Sequence, residues 1–493
     1  MIEGSDPSVT EAKHRAASNG PLDRASPADL MRAELAPDLS DGALTLDPAV
    51  VQAHSADQAL FCPSDGAVAL VRAATVADVQ ATLRFASRHR VPVVPQGARS
   101  GLSGGANAVP GCLLLSTERM RNILSMDAGE RTVTVEPGVV NQDLKNALAP
   151  HGLSYPPDPG SVAMSSIGGN VATNAGGLCC VKYGVTRDYV RALTVVLADG
   201  SIARLGPRTA KGVAGLDLRA LFVGSEGTLG VIVEITLKVV PLLPKPLTAV
   251  ATFASERAAA ETVAAFMATG AQPSMLESLD GAALGMLNAF GDFGLNDAAG
   301  AMLLVQSDGS GSRDAAVREV ESFARCARSA GALEVGHSDD EADSDALVTA
   351  RRMVQPASER YAQSHGGGQL IDDVCLPRGA MLEFYDGLDG IRARSGMTIT
   401  AVAHAGDGNV HPSVFFDAGD PDEVARAERA FDEIMSLGLD LGGTITGEHG
   451  VGYLKRAWLP RELDEGARRL HRSIKQALDP LGILNPGKMF AEL

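Results

Sequence analysis

Hydrophobic residues recur at two different periods along the first half of the chain. Residues 68–75 (VALVRAAT) form an apolar run that is typical of a strand. Between residues 76 and 86 the apolar positions recur three and four residues apart, which is the spacing of one helix face. Residues 91–94 (VPVV) predict another short strand. This segment is therefore predicted to be a strand–helix–strand unit.

Alternating patterns predict more strands before a proline-rich break. In the first half they are expected at residues 132–136, 190–197, 201–205 and 230–240. The last one places Val231, Val233, Ile235, Leu237 and Val239 at alternate positions, which predicts one common face. Residues 241–246 (PLLPKP) interrupt the pattern and indicate a domain boundary.

The second half alternates strands with helical stretches. Strands are predicted at residues 248–253, 301–306, 369–376 and 397–402, and a helix at residues 461–478. This rhythm predicts an α+β domain with helices over one sheet face. We therefore expect an N-terminal arm at residues 1–40, a first domain at residues 41–243 and a second domain at residues 244–493.

Composition narrows the classes of function. The chain has 493 residues and a net charge of −17, a field that repels a phosphate backbone, so we expect no nucleic-acid partner. No window has the roughly 18 unbroken apolar residues of a membrane span, and the N-terminus lacks a signal-peptide core. Six cysteines, none spaced C-x-x-C, predict neither a disulfide framework nor an iron–sulfur site. The adjacent pair Cys179 and Cys180 is expected to pack rather than to react, and the protein to be cytoplasmic.

Three glycine-rich loops in the first domain carry the first candidate chemistry. They are residues 95–106 (PQGARSGLSGGA), 156–177 (PPDPGSVAMSSIGGNVATNAGG) and 223–234 (VGSEGTLGVIVE). Glycines let backbone N–H groups turn toward an anion, and Arg99 and Ser103 offer further donors. None of the loops matches the Rossmann or P-loop fingerprint. Three such loops together predict a large ligand with several polar groups, and so a dinucleotide.

The first two loops resemble the flavin domain of the vanillyl-alcohol oxidase/p-cresol methylhydroxylase superfamily. The resemblance implies a two-domain α+β flavoprotein, with a p-cresol methylhydroxylase-type FAD-binding domain and a C-terminal α+β substrate domain built on an antiparallel sheet. It also implies FAD with N5 facing the second domain. Because residues 95–106 contain no histidine, we expect FAD to be bound without a covalent link.

On this resemblance the expected FAD contacts are Pro95, Gly97, Ala98, Arg99, Ser100, Gly101, Leu102, Ser103, Pro159, Gly160, Ser165, Ser166, Gly168, Gly169, Asn170, Ala172, Thr173, Asn174, Gly176, Gly177, Glu226, Gly227, Gly230, Ile232 and Asn485.

Two glycine-flanked segments of the second domain hold a histidine–carboxylate cluster. In residues 403–412 (AHAGDGNVHP), a glycine-rich bend can bring His404 and His411 to one centre. In TGEHGVG, Glu448 and His449 are adjacent, so in an extended segment only one of them would join that centre. Two imidazoles and one carboxylate leave open positions for a catalytic divalent metal. A mononuclear iron oxygenase could use such ligands but would not need the FAD loops.

The two segments together resemble the D-2-hydroxyacid dehydrogenase branch of the superfamily, which includes D-lactate dehydrogenase and the glycolate oxidase catalytic subunit. The C-terminal NPGKMF also fits this branch. The resemblance implies His449 as the general base and Arg351, or failing it Arg352, as the group that binds the substrate carboxylate. The metal ligands that it implies are His404, His411 and Glu448.

The resemblance also sets the expected reaction. FAD, with a divalent metal, would oxidise a D-2-hydroxy acid of the D-lactate or glycolate class to its 2-oxo acid, the hydride passing to flavin N5. Zn²⁺ is the first candidate, with Mn²⁺ and Fe²⁺ as alternatives. Relatives specific for larger dicarboxylates carry Asn and Lys where this chain has Ser413 and Ile371, which favours a smaller or more apolar acid.

Electrons would leave through an external acceptor such as a quinone, a cytochrome or an electron-transfer protein, because the chain has neither a C-x-x-C cluster motif nor a second dinucleotide fingerprint. Three alternatives stay open: a phenol or alcohol oxidase on the same scaffold, an ether-lipid synthase, and a flavin-binding subunit of a glycolate oxidase complex. The oligomeric state is undetermined, with a homodimer among the options.

Overall fold

The computed structural model describes residues 27–242, 245–296, 298–338 and 340–490, which form two α+β domains. Of the predicted N-terminal arm, residues 1–26 lie outside the described residues. Residues 27–38 are helical, and Met31 and Leu35 are buried against the first domain.

The first domain contains most of the predicted strands. Its strands are β1 (Leu44–Thr45), β2 (Ala69–Arg72), β3 (Val93–Gln96), β4 (Leu113–Ser116), β5 (Ile123–Asp127), β6 (Thr132–Val135), β7 (Leu153–Ser154), β8 (Val190–Val196), β9 (Ile202–Leu205), β10 (Val231–Lys238) and β11 (Val240–Pro241). Its helices are α1 (Pro27–Leu30), α2 (Pro48–Ala53), α3 (Val76–His89), α4 (Asn141–Leu148), α5 (Ile167–Thr173), α6 (Cys180–Tyr183) and α7 (Arg219–Phe222).

Two sheets form the framework of this domain. The first has the order β1-β2-β4-β3, with β2, β4 and β3 parallel, and the second, antiparallel, has the order β5-β6-β10-β8-β9. Thr75 caps the start of helix α3, where its hydroxyl and the Asp78 carboxylate satisfy free N–H groups reciprocally in a capping box. One apolar core lies between the two sheets and α3, and another lies between the second sheet and helices α4 and α5.

The prediction of one common face for residues 230–240 is wrong. Val231 and Val233 pack in the core between the two sheets, whereas Ile235 and Leu237 pack with α4 and α5 on the opposite face. The register of β10 against β8 shifts at Val233. Such a bulge reverses the side to which alternate residues point, so both faces of the strand become buried.

The second domain is built on one large sheet. Its strands are β12 (Leu247–Phe253), β13 (Met275–Asp280), β14 (Ala301–Ser307), β15 (Glu334–Ser338), β16 (Gly367–Ile371), β17 (Val374–Cys375), β18 (Thr398–His404) and β19 (Asn409–Asp417). Its helices are α8 (Glu256–Ala268), α9 (Gly281–Phe290), α10 (Arg313–Ser329), α11 (Glu341–Arg352), α12 (Val354–Ser364), α13 (Met381–Ser395), α14 (Pro421–Asp440) and α15 (Leu459–Glu462). The last helix, α16 (Glu465–Leu478), packs Ile474 and Leu478 against the first domain's core.

The sheet is antiparallel and has the order β15-β12-β14-β13-β18-β19-β16, with β17 also paired to β19. Strands β13, β15 and β19 were not predicted from the sequence. The single strand predicted at residues 369–376 is divided into β16 and β17 by the buried pair Asp372 and Asp373. The helix predicted at residues 461–478 is likewise two helices, because Asp464 caps a new start at α16.

Helices cover parts of both faces of this sheet, whereas the sequence predicts helices over one face only. Helices α8, α10, α13 and α14 pack on one face, whereas α9 and α12 cover part of the other. Along β18, Ala401 and Ala403 lie in the larger core, and the alternate residues Thr400, Val402 and His404 face the first domain across a cavity. The uncovered part of the second face therefore belongs to the interdomain space.

The C-terminal segment returns to the first domain. Ile483 and Leu484 are buried beside β3, and Leu484 forms a parallel bridge with Val93. The buried Lys488 Nζ donates to the Asn107 carbonyl. The boundary between the domains in space is therefore crossed twice by the chain. Within the described ranges, no helix is both long enough and apolar enough to span a bilayer.

Close helix packing gives a test of this fold. A Cβ at Gly438 of α14 would lie 2.3 Å from Val374 Cγ1, whereas a Cβ at Gly285 of α9 would meet nothing within 4 Å. We expect Gly438→Ala to lower the free energy of unfolding by about 1–3 kcal/mol through overpacking. Gly285→Ala, the matched control, should raise it by up to ~1 kcal/mol. Urea unfolding measures both, and equal effects would contradict this packing.

Candidate active site

A cavity of about 670 Å³ lies between the domains, within the usual range of roughly 300–1,000 Å³ for small-molecule sites. The three glycine-rich loops form its first-domain wall. The predicted residues in this wall are Pro95, Gly97, Ala98, Arg99, Ser100, Gly101, Leu102, Ser103, Pro159, Gly160, Ser165, Ser166, Gly168, Gly169, Asn170, Ala172, Thr173, Gly176, Glu226, Gly227, Gly230 and Ile232. The second domain contributes Arg351, Arg352, His404, His411, Glu448 and His449 to the same cavity.

Three predicted FAD contacts are not part of the cavity wall. Asn174 accepts a hydrogen bond from the Arg187 N–H, and Asn485 donates to the carbonyls of Gly105 and Glu226. A Cβ at Gly177 would lie 2.1 Å from the Asp158 carbonyl oxygen. These three residues contact neighbouring segments outside the cavity wall, and their role as FAD contacts stays a prediction.

The loops fit a large anionic ligand by their shape and donors. A Cβ at Gly97 would lie 2.5 Å from Ser166 Oγ, so the first and second loops approach each other as only glycine allows. Arg99 has a left-handed backbone (φ 56°), and its buried Nη1 has no hydrogen-bond partner among the described residues. A guanidinium donor left unpaired in a cavity wall suits a phosphate oxygen.

A β-hairpin positions the first two histidines. β18 ends at His404 and β19 begins at Asn409, and the glycine-rich bend between them is the one predicted from the sequence. Their imidazole rings lie 5.1 Å apart at 85°. Glu448 Oε1 is 3.1 Å from His404 Nε2 and 3.3 Å from His411 Nε2. The three predicted ligands therefore converge on one point at the cavity wall.

These three side chains are suited to a divalent cation. Their ligand atoms lie within 4.8 Å of one another. Burial disfavours a charged His404, but Glu277 and Glu448 outweigh that effect and raise its pKa well above the usual value. The site thus favours positive charge. A second grouping of Asp373, His411 and His449 is as compact, but Asp373 is fully buried behind the wall and its Oδ2 is hydrogen-bonded.

Glu277 is a residue of the site that the sequence analysis missed. It is fully buried on β13, and its carboxylate accepts from His404 Nδ1 and from Arg351 Nε, both at 2.9 Å. A carboxylate on the Nδ1 side of a histidine leaves Nε2 free as a ligand. Glu277 therefore orients His404 and Arg351 together. A glutamate as the single charged residue in the run MLESL is the signal that could have identified it.

Asp373 was also missed, and it holds the loop of the third ligand. Its Oδ2 accepts from the Glu448 N–H at 3.0 Å and from the His449 N–H at 2.8 Å. Burial acts to raise the pKa of Asp373, but His449 and the buried Lys455 have the larger effect and hold it below the usual value. Asp373 Oδ1 lies 3.6 Å from His411 Nδ1. This ionised carboxylate therefore fixes the Glu448–His449 loop and places a negative charge behind His411.

Two first-domain side chains hold the same loop from the other side. Ser103 Oγ donates to the carbonyls of His449 and Gly450, so this hydroxyl is not directed at a phosphate as had been expected. The Glu226 carboxylate accepts from the N–H groups of Val451 and Gly452, both at 2.7 Å. Burial raises the pKa of Glu226 to about 7.

His449 lies beside the predicted ligand set rather than facing away from it. Residues 446–452 are bent, so the alternation expected of an extended segment does not apply. The His449 ring stacks on the His411 ring at 4.8 Å and 14°. Burial lowers the pKa of His449 to about 4, and its Nδ1 has no hydrogen-bond partner among the described residues. A neutral, unpaired imidazole in the wall can accept a proton.

Both candidate arginines line the cavity. Arg351 is paired with Glu277 and its side chain is 10% exposed. Arg352 donates to Asp158 at 2.6 Å, and its buried Nη1 has no hydrogen-bond partner within the described ranges. Through Glu277, Arg351 is the arginine linked to His404.

The vicinal cysteines fit a packing role. Burial raises the pKa of Cys179 to about 12, and that of Cys180 is raised further, so neither forms the reactive thiolate readily.

A Cβ at Gly176 would lie 3.4 Å from Cys180 Sγ and 2.6 Å from Glu448 Oε2. The second glycine-rich loop therefore lies directly against the metal-type cluster.

Comparison with known proteins gives matches along most of the chain. A family model for an FAD binding domain matches residues 67–206, and one for the C-terminal domain of FAD linked oxidases matches residues 245–489. Glycolate oxidase subunit GlcD of Bacillus subtilis is 40% identical over 84% of this chain and 87% of its own. D-lactate dehydrogenase of Anaerostipes hadrus is 34% identical over 86% of this chain and 90% of its own.

A solved structure shares the fold. The 4-ethylphenol oxidase of Gulosibacter chungangensis superposes with a TM-score of 0.76, covering 94% of this chain and 96% of that one. Its sequence is 19% identical, so the likeness concerns the fold alone. The predicted two-domain flavoprotein architecture is confirmed.

Removal of Glu277 should destabilise the site strongly. Glu277→Ala leaves Arg351 and His404 without their buried partner, and we expect the free energy of unfolding to fall by about 3–5 kcal/mol. The matched control is Asp386→Ala, which breaks the exposed pair with Arg257 (2.8 Å) and should change stability little. Urea unfolding in the presence of a chelator measures both, and a small effect of Glu277→Ala would contradict the anchoring role.

Proposed function

The chain belongs to the FAD-linked oxidase family, and on that premise we propose that it oxidises a D-2-hydroxy acid of the lactate or glycolate class to the 2-oxo acid, with FAD and a divalent metal. The names of its relatives, a glycolate oxidase subunit and a D-lactate dehydrogenase, support this substrate class. One observation carries the proposal. The His404, His411 and Glu448 set lies in the same cavity as the glycine-rich loops, against Gly176.

The proposed metal ligands are His404, His411 and Glu448. A bound divalent metal would supply Lewis acidity that lowers the pKa of the substrate hydroxyl. Zn²⁺ is our first candidate because two imidazoles and a carboxylate are a frequent catalytic set for it, and Mn²⁺ or Fe²⁺ are alternatives. The chain's part is to keep the two Nε2 atoms directed at one point. Glu277 orients His404 through its Nδ1, and Asp373 places a carboxylate 3.6 Å behind His411 Nδ1.

His449 is the proposed general base. It stacks on His411 beside the ligand set, where its neutral imidazole could take the hydroxyl proton. Arg351 is the proposed partner of the substrate carboxylate, with Arg352 as the alternative. FAD, held without a covalent link by the glycine-rich loops, would supply the two-electron acceptor for the C2 hydride.

A phenol or alcohol oxidase on this scaffold is the rejected alternative. It would leave the buried histidine–carboxylate cluster unexplained, and aromatic residues make up 4% of the chain.

The substrate class can be tested by anaerobic reduction of the flavin. We expect D-lactate or glycolate to abolish most of the flavin absorbance of the purified holoprotein at ~450 nm, because hydride transfer from the substrate would reduce the cofactor. Substituted phenols, L-lactate and D-2-hydroxyglutarate serve as controls and should bleach it far more slowly. Bleaching by phenols alone would contradict the proposal.

The ligand set can be tested by metal content. His404→Ala, His411→Ala and Glu448→Ala should each lose the bound metal and turnover together while retaining FAD. His449→Ala should keep the metal, with turnover lower by roughly 10²–10⁴ because a general base is lost. The control is His337→Ala, at an exposed position in β15. Elemental analysis and flavin absorbance give the two readouts, and unchanged metal in all three ligand variants would contradict the assignment.

Electron transfer to an external acceptor can be tested by reoxidation. We expect artificial dyes or quinones to support turnover far better than air or NAD, since the sequence carries no cluster motif or second dinucleotide fingerprint. Stopped-flow mixing of the substrate-reduced protein with air-saturated buffer measures the competing reaction. Reoxidation by O₂ as fast as steady-state turnover would make the protein an oxidase instead.

A further inference from the structure

A second cavity, of about 260 Å³, adjoins the candidate active site. Four glutamines line it: Gln58, Gln355, Gln363 and Gln369. We call it the glutamine cavity. Gln58, Gln363 and Glu359 are exposed at its rim, whereas Gln369 is buried at its floor with 2% of its surface exposed.

The glutamine cavity lies next to the part of the candidate active site where the substrate is proposed to bind. Leu102 of the first glycine-rich loop and Ile371 of β16 line both cavities. Ile371 is opposite Ser413 in the sheet, and Ser413 is two residues beyond His411. Gln369 lies two residues before Ile371 on β16, opposite Phe415. At about 3.3 Å per residue, Gln369 lies on the order of 13 Å from His411 along the sheet.

Gln369 is the group at this floor that requires a partner. Neither its Oε1 nor its Nε2 has a hydrogen-bond partner among the described residues. Buried amides are rarely left in this state, because each unpaired donor or acceptor is costly. The side chain offers one acceptor and a donor group in the same plane, which matches a hydroxyl or a primary amide.

The charges around the glutamine cavity disfavour a substrate whose distal end is a second carboxylate. Within the described part of the chain, its wall includes no Lys, Arg or His, and its ionisable side chain is Glu359. Gln355 Nε2 already donates to Glu359 Oε1 at 3.0 Å. A second substrate carboxylate would therefore meet a like charge and no cation.

We propose that the glutamine cavity is a subsite for the distal end of the substrate, and that Gln369 selects D-2-hydroxy acids whose chain ends in an uncharged hydroxyl or amide. This inference rests on the proposed function and deepens it. The acid end would be held near Arg351 and the ligand set, and the neutral end beyond Ile371. Chain length then matters as well as end group, because the tail must pass Ile371 before it reaches Gln369.

The test is a substrate series on the FAD- and metal-loaded protein. D-2-hydroxy acids of increasing chain length would each be ended by a methyl, a hydroxymethyl, a primary amide or a carboxylate group, with D-lactate as the reference. At the best length, we expect kcat/KM for the hydroxymethyl and amide acids to exceed that of the methyl and carboxylate acids by about tenfold or more, as for a site built to hydrogen-bond its substrate.

Two variants separate Gln369 from the rest of the cavity. Gln369→Met, of similar shape but without polar groups, should abolish the preference by lowering kcat/KM for the hydroxymethyl and amide acids about tenfold, to the level of the methyl acid, since about 1.4 kcal/mol of lost pairing is a factor of ten. Gln363→Met, at the exposed rim, should retain the preference. Because Gln369→Met replaces an unpaired buried amide by an apolar chain, its thermal midpoint should not fall.

The outcomes are distinguishable. A wild-type protein without the preference, a Gln369→Met variant that keeps it, or equal loss in Gln363→Met would each overturn the subsite while D-lactate or glycolate turnover still supports the proposed function. Absence of flavin reduction by D-lactate, glycolate and every acid of the series would overturn the proposed function and this inference with it.

Discussion

The loop that carries Glu448 and His449 is held between two buried carboxylates, one from each domain. Asp373 accepts from the N–H groups of the two site residues, and Glu226 accepts from two N–H groups farther along the same loop. A buried carboxylate without such donors is costly, so the loop cannot shift without a large loss. Because Glu226 comes from the third glycine-rich loop, this pair of contacts fixes the cofactor wall relative to the histidine cluster.

A buried carboxylate also lies behind each of the two histidines of the ligand set. Glu277 lies behind His404, and Asp373 lies behind His411. Each carboxylate is itself neutralised by a cation, Arg351 for Glu277 and Lys455 for Asp373. Ion pairs this deeply buried stabilise the fold only when their geometry is good, and they define orientation more than they add stability. The face of the sheet toward the first domain is thus a layer of fixed charge under the proposed ligands.

The candidate active-site cavity and the adjoining glutamine cavity differ in the charge of the side chains that line them. Charged groups are concentrated around Arg351 and the ligand set, whereas the wall beyond Ile371 has four glutamines and one glutamate, Glu359, but no cation among its described residues. A cavity with cations at one end and none at the other favours a substrate with a single carboxylate. The departure from the dicarboxylate-specific pattern, noted at Ser413 and Ile371, falls at the junction of the two parts.

The sequence by itself determined the features that depend on local pattern: the strand–helix–strand start, the three glycine-rich loops, the bend that joins His404 to His411, and the family. Tertiary structure decided the rest. Glu277 is 127 positions from His404, and Ser103 is 346 from His449, so no spacing rule relates them. The bulge at Val233 reversed a predicted face because it depends on pairing with β8. A periodic pattern records which side of an element is buried, but only the packed chain determines which distant polar groups meet there, since a buried charge must find its partner wherever the fold brings one.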